Sequence, residues 1–217
     1  MSAATPSPES LRQAVDARYG ALAARADASL SCGGALELAA PRAGEVVVDL
    51  GCGRGRDVLR AAGLVGASGV AIGVDASEEM LARARAAVPA GVGHVRFVRS
   101  DLAALDLADG TASVVASNCA INHAPDKAAV FREIHRVLRS GGRFVVSDVL
   151  SEGVLPEAIR RDPAAWAACY GGAIPEADYL AAIRAAGFRD VEVLTRTAPY
   201  EKGGARVLSV TVKGIRP

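Results

Sequence analysis

Short runs of β-branched and other apolar residues alternate with helical segments along most of this chain, and this alternation limits the possible fold more than any other feature. The runs lie at residues 46–50, 70–74, 95–98, 112–117, 144–149, 191–195 and 207–212. Apolar runs of this kind are typical of strands that are buried on both faces of a parallel sheet. Helices separate them: Ser77 caps one, and another over residues 126–139 ends at a Gly-Gly pair. The pattern predicts an α/β fold with a doubly wound, mostly parallel sheet of seven strands, one of which, in the C-terminal hairpin, is antiparallel.

A single domain is expected to follow a short tail. Residues 1–10 combine Ser, Pro, Ala and Thr with almost nothing to bury, so we expect them to be mobile. Residues 11–217 then form one domain, which begins with a helix over residues 11–28. The segment at residues 155–175 interrupts the alternation of strands and helices and carries Trp166 and Cys169. We expect this segment to cap the functional site.

The balance of charge and the spacing of the cysteines exclude several classes of protein. The chain has 25 Lys and Arg residues against 24 Asp and Glu residues, so its formal net charge of +1 gives no field that would attract nucleic acid. No apolar stretch is long enough to cross a bilayer, and no basic segment followed by an apolar one opens the chain. The four cysteines form no C-x-x-C pair, which argues against a zinc ribbon or a redox dithiol. We therefore expect a cytoplasmic protein with no membrane or nucleic-acid partner, and the abundance of Ala and Arg favours a bacterial source.

The loop after the first predicted strand starts at Asp49 and reads D-L-G-C-G-R-G-R-D. In such a sheet a ligand binds beyond the carboxyl ends of the strands, and Gly51, Gly53 and Gly55 would let the backbone pass close to it. A dinucleotide site would need a small residue where Arg56 stands, and a phosphate-binding P-loop would need a Lys followed by Ser or Thr. Both phosphate-binding interpretations are therefore disfavoured.

Two acidic residues end the next two predicted strands. Asp75 closes the second strand, where its carboxylate can accept hydrogen bonds from ribose hydroxyls, and Asp101 follows the third, where it can accept one from the exocyclic amine of adenine. Either aspartate could instead cap its own loop. The order of Asp49, the glycine loop and these two acids along the chain resembles the order of the same elements in the class I methyltransferases that use S-adenosylmethionine. The resemblance implies a Rossmann-like methyltransferase fold and S-adenosylmethionine as the cofactor.

The same resemblance implies which residues hold the cofactor. It places Asp49 near the methionine portion and Met80 against the adenine, although a core role for Met80, on the apolar face of its helix, is an equal alternative. The candidate cofactor-binding residues are Asp49, Gly51, Gly53, Gly55, Asp75, Met80, Asp101, Leu102 and Asn118.

A second resemblance rests on two segments that contain cysteine. The fourth predicted strand ends in S-N-C-A-I-N-H-A-P-D-K, which starts at Ser117 and resembles the SNC-x-IN-x-x-PDK signature of arsenite methyltransferases. The run C-Y-G-G-A-I-P, which starts at Cys169, resembles the second cysteine segment of that family. Further matches cover nearly the whole chain after Tyr19, among them G-R-D at Gly55 and S-D-V at Ser147.

This second resemblance implies that Cys119 and Cys169 are catalytic residues and ligands of trivalent arsenic, which is the substrate. Trivalent arsenic is soft, binds thiolates in pyramidal sites and keeps a lone pair that can attack an electrophile. Cys32 is a candidate third catalytic thiol, and whether it binds arsenic or merely lies in a loop stays open. Cys52, between two loop glycines, is expected to be inert, and His123 is expected to be a solvated loop histidine rather than a catalytic base.

The implied function is methyl transfer from S-adenosylmethionine to arsenite or methylarsenite in arsenic detoxification, with a thiol reductant as partner. Many relatives have a further cysteine at the position of Val58, so the preference between the two arsenicals stays open. One alternative is an enzyme with the same cofactor that methylates a small organic molecule, for which His123, Asp148 and Tyr170 are the candidate general bases. The other alternative is a protein that binds metalloids through thiols without turnover.

Overall fold

An eight-stranded sheet forms the centre of the protein in the computed structural model, which describes residues 5–23 and 34–217. Its strands are β1 (Val46–Leu50), β2 (Val70–Asp75), β3 (Val95–Arg99), β4 (Ala112–Asn118), β5 (Leu138–Ser151), β6 (Arg189–Arg196), β7 (Tyr200–Lys202) and β8 (Ala205–Ile215). They lie in the order β3-β2-β1-β4-β5-β8-β6, and the short β7 pairs with β8. Strands β1 to β5 are parallel to their neighbours among themselves, whereas β8 is antiparallel to both β5 and β6.

Helices connect most of these strands. In the described residues they are α1 (Pro8–Ala23), α2 (Ala35–Ala39), α3 (Arg56–Val65), α4 (Glu78–Ala86), α5 (Lys127–Val137), α6 (Glu157–Arg160), α7 (Pro163–Ala167) and α8 (Glu176–Ala185). A short 3₁₀ helix, Ile121–His123, follows β4. Across residues 5–23 and 34–217, the structure contains no helix with the length and apolar character that a membrane span requires.

The predicted fold class is confirmed, because the sheet is mostly parallel, is wound on both sides and contains an antiparallel strand near the C-terminus. All seven predicted strands are present. The difference is β7, which forms within the turn-rich stretch between the last two predicted strands and pairs with β8. A strand of three residues is too short to show the alternation from which strands are predicted.

The hydrophobic core lies in two layers, one on each face of the sheet. In one layer, Phe131 and Ile134 of α5 pack with Tyr179 and Ile183 of α8. In the other layer, α2, α3 and α4 bury smaller residues such as Val58. Since β1 and β4 are covered on both faces, an apolar run rather than an alternating pattern marks each of them. The carboxyl ends of the parallel strands share one edge, so the loops that carry the candidate residues meet there.

Helix α1 begins at Pro8, so the expected boundary between tail and domain, after residue 10, falls inside its first turn. Ser7 caps this helix, because its Oγ accepts a hydrogen bond from the backbone N–H of Ser10 at 3.2 Å. Proline is favoured in the first turn, where a backbone N–H has no partner within the helix. Residues 1–4 of the expected tail and residues 24–28 of the predicted helix lie outside the described residues.

Candidate active site

The glycine loop between β1 and α3 is packed tightly against its neighbours. Gly51 has a φ of 71°, and a Cβ at this position would collide with the side chain of Ala120, so only glycine fits. The backbone N–H groups of Gly51 and Cys52 both donate to the carbonyl of Val74, at 2.8 and 3.0 Å. Gly55 is the N-cap of α3. The loop is thereby fixed against the end of β2 and against the segment that follows β4.

Two of the predicted cofactor residues, Asp49 and Asp75, lie beside this loop. Asp75 Oδ2 accepts a hydrogen bond from the backbone N–H of Gly53 at 2.8 Å, and its Oδ1 accepts one from that of Ser77 at 2.9 Å. Burial raises the pKa of Asp49 well above its usual value, and the carboxylates of Asp57 and Asp75 raise that pKa further. A buried carboxyl next to two other carboxylates is an environment that favours a cationic ligand.

Asn118, the last residue of β4, has polar contacts on two sides. Its Oδ1 accepts a hydrogen bond from the backbone N–H of Ala35 at 3.2 Å, and its Nδ2 donates to Asp57 Oδ2 at 3.1 Å. The amide therefore links β4 to α2 and to the first turn of α3, next to the glycine loop.

The other predicted cofactor residues follow β2 and β3. Asp101 is exposed, and its Oδ1 accepts a hydrogen bond from the backbone N–H of Ala103 at 2.8 Å, as an aspartate that caps its own loop does. Leu102 is half-buried against the core layer that contains α5 and α8. Met80 is buried, with 3% of its surface exposed, and its burial fits both a core role and a contact with adenine.

Cys119 and Cys169 meet beyond the end of β4. Cys119 follows β4 directly, and its N–H donates to the carbonyl of Ser147 at 2.8 Å, while Cys169 lies in the turn after α7. Both are buried thiols rather than partners in a disulfide. A hydrogen bond from Cys119 is the largest influence that lowers the pKa of Cys169. Two segments that are distant in sequence thus bring their thiols side by side.

Both cysteines have a left-handed backbone conformation, which is rare outside glycine. The φ angles are 56° at Cys119 and 68° at Cys169. For a residue with a Cβ this conformation costs roughly 1–2 kcal/mol, and residues strained in this way cluster at functional sites. The side chain of Asn122 holds the second of them, because its Nδ2 donates to the carbonyl of Cys169 at 3.1 Å and to that of Val149 at 2.5 Å.

Two polar side chains lie against the thiol of Cys169. Its Sγ is 3.3 Å from Tyr19 Oη and 3.6 Å from His123 Nε2, and those two atoms are 3.2 Å apart. Hydrogen bonds from Cys119, His123 and Tyr19 outweigh the effect of burial and lower the pKa of Cys169 to about 3. These hydrogen bonds thus favour the thiolate form of Cys169. We call Cys119, Cys169, Tyr19 and His123 the thiol site.

The expectation that His123 is solvated is wrong. His123 Nε2 lies at the thiol site, and Nδ1 is buried with no hydrogen-bond partner in the part of the chain that the structure describes. His123 is the last residue of the 3₁₀ helix that follows β4, and in this position its ring lies beside Cys169.

Apolar side chains and one hairpin form the walls around the two thiols. The buried wall residues are Val149, Leu155, Ala173, Ala205 and Val207. The hairpin of β7 and β8 also contacts the residue after Cys169, because Gly203 in its turn lies so close to Tyr170 that a Cβ would collide with the phenol ring. A cavity of about 340 Å³ reaches Cys119 along the sheet. Leu155 and Ala173, near the two ends of the expected cap segment, thus both lie in the buried cluster that contains the two thiols.

A buried polar group lies near the thiol site. Tyr179 Oη donates to Asp148 Oδ2 at 2.8 Å. Lys127 Nζ donates to the carbonyl of Ala124 at 3.0 Å and lies 5.4 Å from the ring of Trp166. Burial raises the pKa of Asp148 to about 7 and lowers that of Lys127 to about 8. The contact between Lys127 and Trp166 ties the start of α5 to α7.

Cys52 is separate from this pair. Cys52 packs in the core layer with Val58, and burial raises the pKa of its thiol, which keeps it protonated and unreactive. Cys32 lies outside the described residues.

Sequence reasoning missed Tyr19 and Asn122. Tyr19 lies on α1, far along the chain from the thiol that it contacts, and no local pattern indicates such a contact. Asn122 stands inside the signature run, directly after the apolar Ile121, and its buried amide makes hydrogen bonds there, as buried polar groups do.

The fold and the loop at the end of β1 define a class of protein. A sequence profile described as a methyltransferase domain matches residues 41–198, which span the strands from β1 to β6. The glycine loop, the two acids at the ends of β2 and β3 and this profile together define a methyltransferase of the class I type.

Comparison with known proteins narrows the class. The arsenite methyltransferase of Halobacterium salinarum is 40% identical over 177 residues, which are 81% of this chain and 45% of that protein. That of Aquipseudomonas alcaligenes is 41% identical over 183 residues, which are 77% of this chain and 53% of that protein. The crystal structure of an arsenic(III) S-adenosylmethionine methyltransferase from Chlamydomonas reinhardtii has a TM-score of 0.74 at 31% identity, covering 97% of this chain and 74% of that one. The chain therefore belongs to the family of S-adenosylmethionine-dependent arsenite methyltransferases.

Two further facts limit what membership of the family implies. The chain spans about half the length of the curated relatives that it matches. The [4+2]-cyclase SpnF has a TM-score of 0.72 at 17% identity and covers 98% of both chains, a likeness that shows the fold alone. Since one fold carries different reactions, the function has to be argued from the site.

Proposed function

We propose that the protein transfers methyl groups from S-adenosylmethionine to trivalent arsenic that Cys119 and Cys169 hold. The observation that carries the proposal is the thiol pair itself: two buried thiols from separate segments, joined by a hydrogen bond, beside the glycine loop. Thiolates are the protein ligands that a soft metalloid prefers. When bound, S-adenosylmethionine supplies an electrophilic methyl group on a sulfonium.

The residues around the glycine loop suit that cofactor. Asp75 would accept hydrogen bonds from the ribose, and Asp101, which is exposed at the end of β3, would accept one from the adenine amine. The acidic surroundings of Asp49 suit a ligand that carries positive charge near its methionine portion. The full proposed set is Asp49, Gly51, Gly53, Gly55, Asp75, Met80, Asp101, Leu102 and Asn118.

Cys169 would react with arsenite first, because a thiolate is the nucleophilic form and its pKa is the one that is lowered. Its attack forms an arsenic–sulfur bond and displaces hydroxide, which leaves as water with the proton of Cys119. Cys119 then displaces a second hydroxide, which takes a proton from solvent. Arsenic stays trivalent through both exchanges and keeps its lone pair.

Binding by both cysteines would also fix the direction in which the lone pair of arsenic points. Methyl transfer requires the acceptor within roughly 3–3.5 Å of the methyl carbon and in line with the departing sulfur. S-adenosylmethionine, held by the residues around the glycine loop, would supply the methyl group to that lone pair: its carbon–sulfur bond would break as the arsenic–carbon bond forms, and arsenic would be oxidised to the pentavalent state. No proton leaves the attacking atom, so no general base is needed. A thiol reductant then returns the arsenic to the trivalent state, in a cytoplasm that also keeps the cysteines reduced.

The test is a methylation assay with S-adenosylmethionine labelled in the methyl group, a thiol reductant, and either arsenite or methylarsenite, analysed by mass spectrometry. Labelled methyl on arsenic is expected with the natural protein and with Cys52→Ser, and it is expected to disappear with Cys119→Ser and with Cys169→Ser. Arsenical binding without any methylated product would favour a sequestering protein. A labelled organic product with unmodified arsenic would favour the small-molecule methyltransferase.

A further inference from the structure

The cavity that reaches Cys119 runs along a part of the sheet that carries hydroxyl groups. Five serines and threonines on or next to β5, β6 and β8 line it, namely Ser147, Thr195, Thr197, Ser209 and Thr211. Thr211 pairs with both Ser147 and Thr195, so these three residues form one row across the strands. Thr197 and Ser209 form the next row, in which the N–H of Thr197 donates to the carbonyl of Ser209 at 3.0 Å. We call these five residues the hydroxyl face.

The hydroxyl face leads from solvent toward the thiol of Cys119. Thr195 is exposed on β6, Ser209 is half-buried, and Thr211 and Ser147 are each only 5% exposed. The carbonyl of Ser147 accepts the N–H of Cys119 at 2.8 Å, so the buried end of this face adjoins a residue of the thiol site. Cys119 itself is buried, and a substrate needs a path to it.

This face of β8 is not packed under the neighbouring helices. The core layer that contains α2, α3 and α4 includes buried residues of β1, β2, β4 and β5, but none of β8 in the part of the chain that the structure describes. Gly34 and Leu38, at α2, instead line the cavity opposite the strands, and Leu38 is 43% exposed. Polar side chains can therefore occupy this part of the sheet.

The two charged residues that line the cavity have their charged groups bound elsewhere. Asp148 Oδ2 accepts a hydrogen bond from Tyr179 Oη at 2.8 Å, and Arg196 Nε donates to Glu176 Oε2 at 3.0 Å. Both partners belong to α8, which packs in the core layer on the other face of the sheet. Along its described lining, the cavity thus offers neutral hydroxyl groups and no unpaired cation.

We propose that the hydroxyl face is the path by which uncharged trivalent arsenicals, which carry hydroxyl groups of their own, reach Cys119. This inference rests on the proposed function, because it needs Cys119 to be a ligand of arsenic. Arsenous acid and its monomethyl derivative are uncharged at neutral pH, so neither has to give up the hydration of a charge on entering. Arsenate and phosphate are anions, and they would lose hydration here without gaining a positive partner.

The hydroxyls of this face have hydrogen-bonding capacity left for such a solute. A hydroxyl can donate one hydrogen bond and accept two. Ser147 Oγ and Thr211 Oγ1 share one bond of 2.8 Å, and Thr197 Oγ1 accepts one from the N–H of Ser209 at 3.0 Å. Each of these groups can therefore exchange bonds with a passing As–OH group while it keeps its bond within the sheet.

The experiment measures the rates at which each arsenical binds and leaves, by rapid mixing without S-adenosylmethionine. The signal is the fluorescence of Trp166, the single tryptophan of the chain, whose carbonyl accepts the N–H of Cys169 at 2.9 Å. Thr195→Phe narrows the path and is expected to slow association and dissociation about tenfold each. Because a narrower path raises the barrier in both directions, the Kd should stay unchanged.

Two further variants show whether space or hydrogen bonding is responsible. Thr195→Val keeps the shape of the side chain without its hydroxyl, and it is expected to slow both rates about threefold, again at an unchanged Kd. Ser68→Phe places the same ring on an exposed serine in the turn before β2, at the opposite edge of the sheet, and is the matched control with unchanged rates.

Two results would overturn the inference. Unchanged rates in Thr195→Phe would mean that arsenic reaches the thiols by another path. A weaker affinity with an unchanged association rate would mean that Thr195 supports the bound state or the fold rather than entry. Binding of both arsenicals that survives in Cys119→Ser and Cys169→Ser would instead refute the proposed function itself, whatever the rates in the Thr195 variants.

Discussion

Asn118 Nδ2 donates a hydrogen bond to Asp57 Oδ2 at 3.1 Å, and this contact joins the two halves of the candidate site. Asp57 lies in the first turn of α3, directly after the glycine loop, while Asn118 directly precedes Cys119. A displacement of the cofactor loop can therefore reach the thiol pair through one carboxylate and one amide.

Replacement of Asp75 by alanine is expected to weaken S-adenosylmethionine binding by about 1–3 kcal/mol. The ribose hydroxyls would lose a charged acceptor, and the backbone N–H of Gly53 would lose the partner that holds the loop. Isothermal titration calorimetry measures the change, with the exposed Asp106→Ala as a control for the loss of one negative charge. Unchanged affinity would remove Asp75 from the cofactor site.

Replacement of Gly203 by alanine is expected to disturb the thiol site, whereas the same replacement at Gly204 is not. Both glycines have a positive φ, 57° and 78°, so both substitutions carry the same kind of backbone strain. Only at Gly203 would the new Cβ collide with Tyr170, the neighbour of Cys169, since nothing lies within 4 Å of a Cβ at Gly204. Forcing atoms into packed space costs about 1–3 kcal/mol.

Two measurements compare these variants, namely the free energy of unfolding in urea and the affinity for methylarsenite. The Gly203 variant is expected to have a lower free energy of unfolding and a lower affinity for methylarsenite than the Gly204 variant. Equal values for the two variants would show that the hairpin does not position Tyr170.

The ultraviolet absorbance of the Cys169 thiolate is expected to persist at pH 5, measured as the difference between the natural protein and Cys169→Ser. Its pKa is lowered to about 3, chiefly by the hydrogen bond from Cys119. In Cys119→Ala that bond is lost, so the pKa should rise and the thiolate signal should titrate at a higher pH. A signal that already disappears near pH 8 in the natural protein would contradict the lowered pKa.

The sign of the effect on stability follows from the same shift. Because the pKa of Cys169 is lower in the folded state than in the unfolded chain, its contribution to stability is complete above the unfolded pKa of a thiol. That contribution is lost as the pH falls toward the folded-state pKa of about 3.

The parts of the molecule that could be predicted from sequence are those with local signals. The parallel strands are marked by apolar runs. The loop after β1 is marked by glycines, whose backbone conformations few other residues adopt, and Asp75 is marked by its charge at the end of a buried strand. Tyr19 could not be predicted, because its role depends on how α1 packs in three dimensions. The position of His123 was predicted wrongly, since the sequence does not show that a 3₁₀ helix turns the ring toward a thiol.

X-ray absorption at the arsenic edge tests most directly whether Cys119 and Cys169 hold the substrate, because it counts the sulfur atoms bonded to arsenic. The protein is loaded with methylarsenite in the absence of added thiol. Two sulfur neighbours and one carbon neighbour are expected in the natural protein, and one sulfur neighbour fewer in Cys119→Ser and in Cys169→Ser, if both thiols hold the arsenic. The same sulfur count in all three proteins would show that these two cysteines do not bind the arsenic.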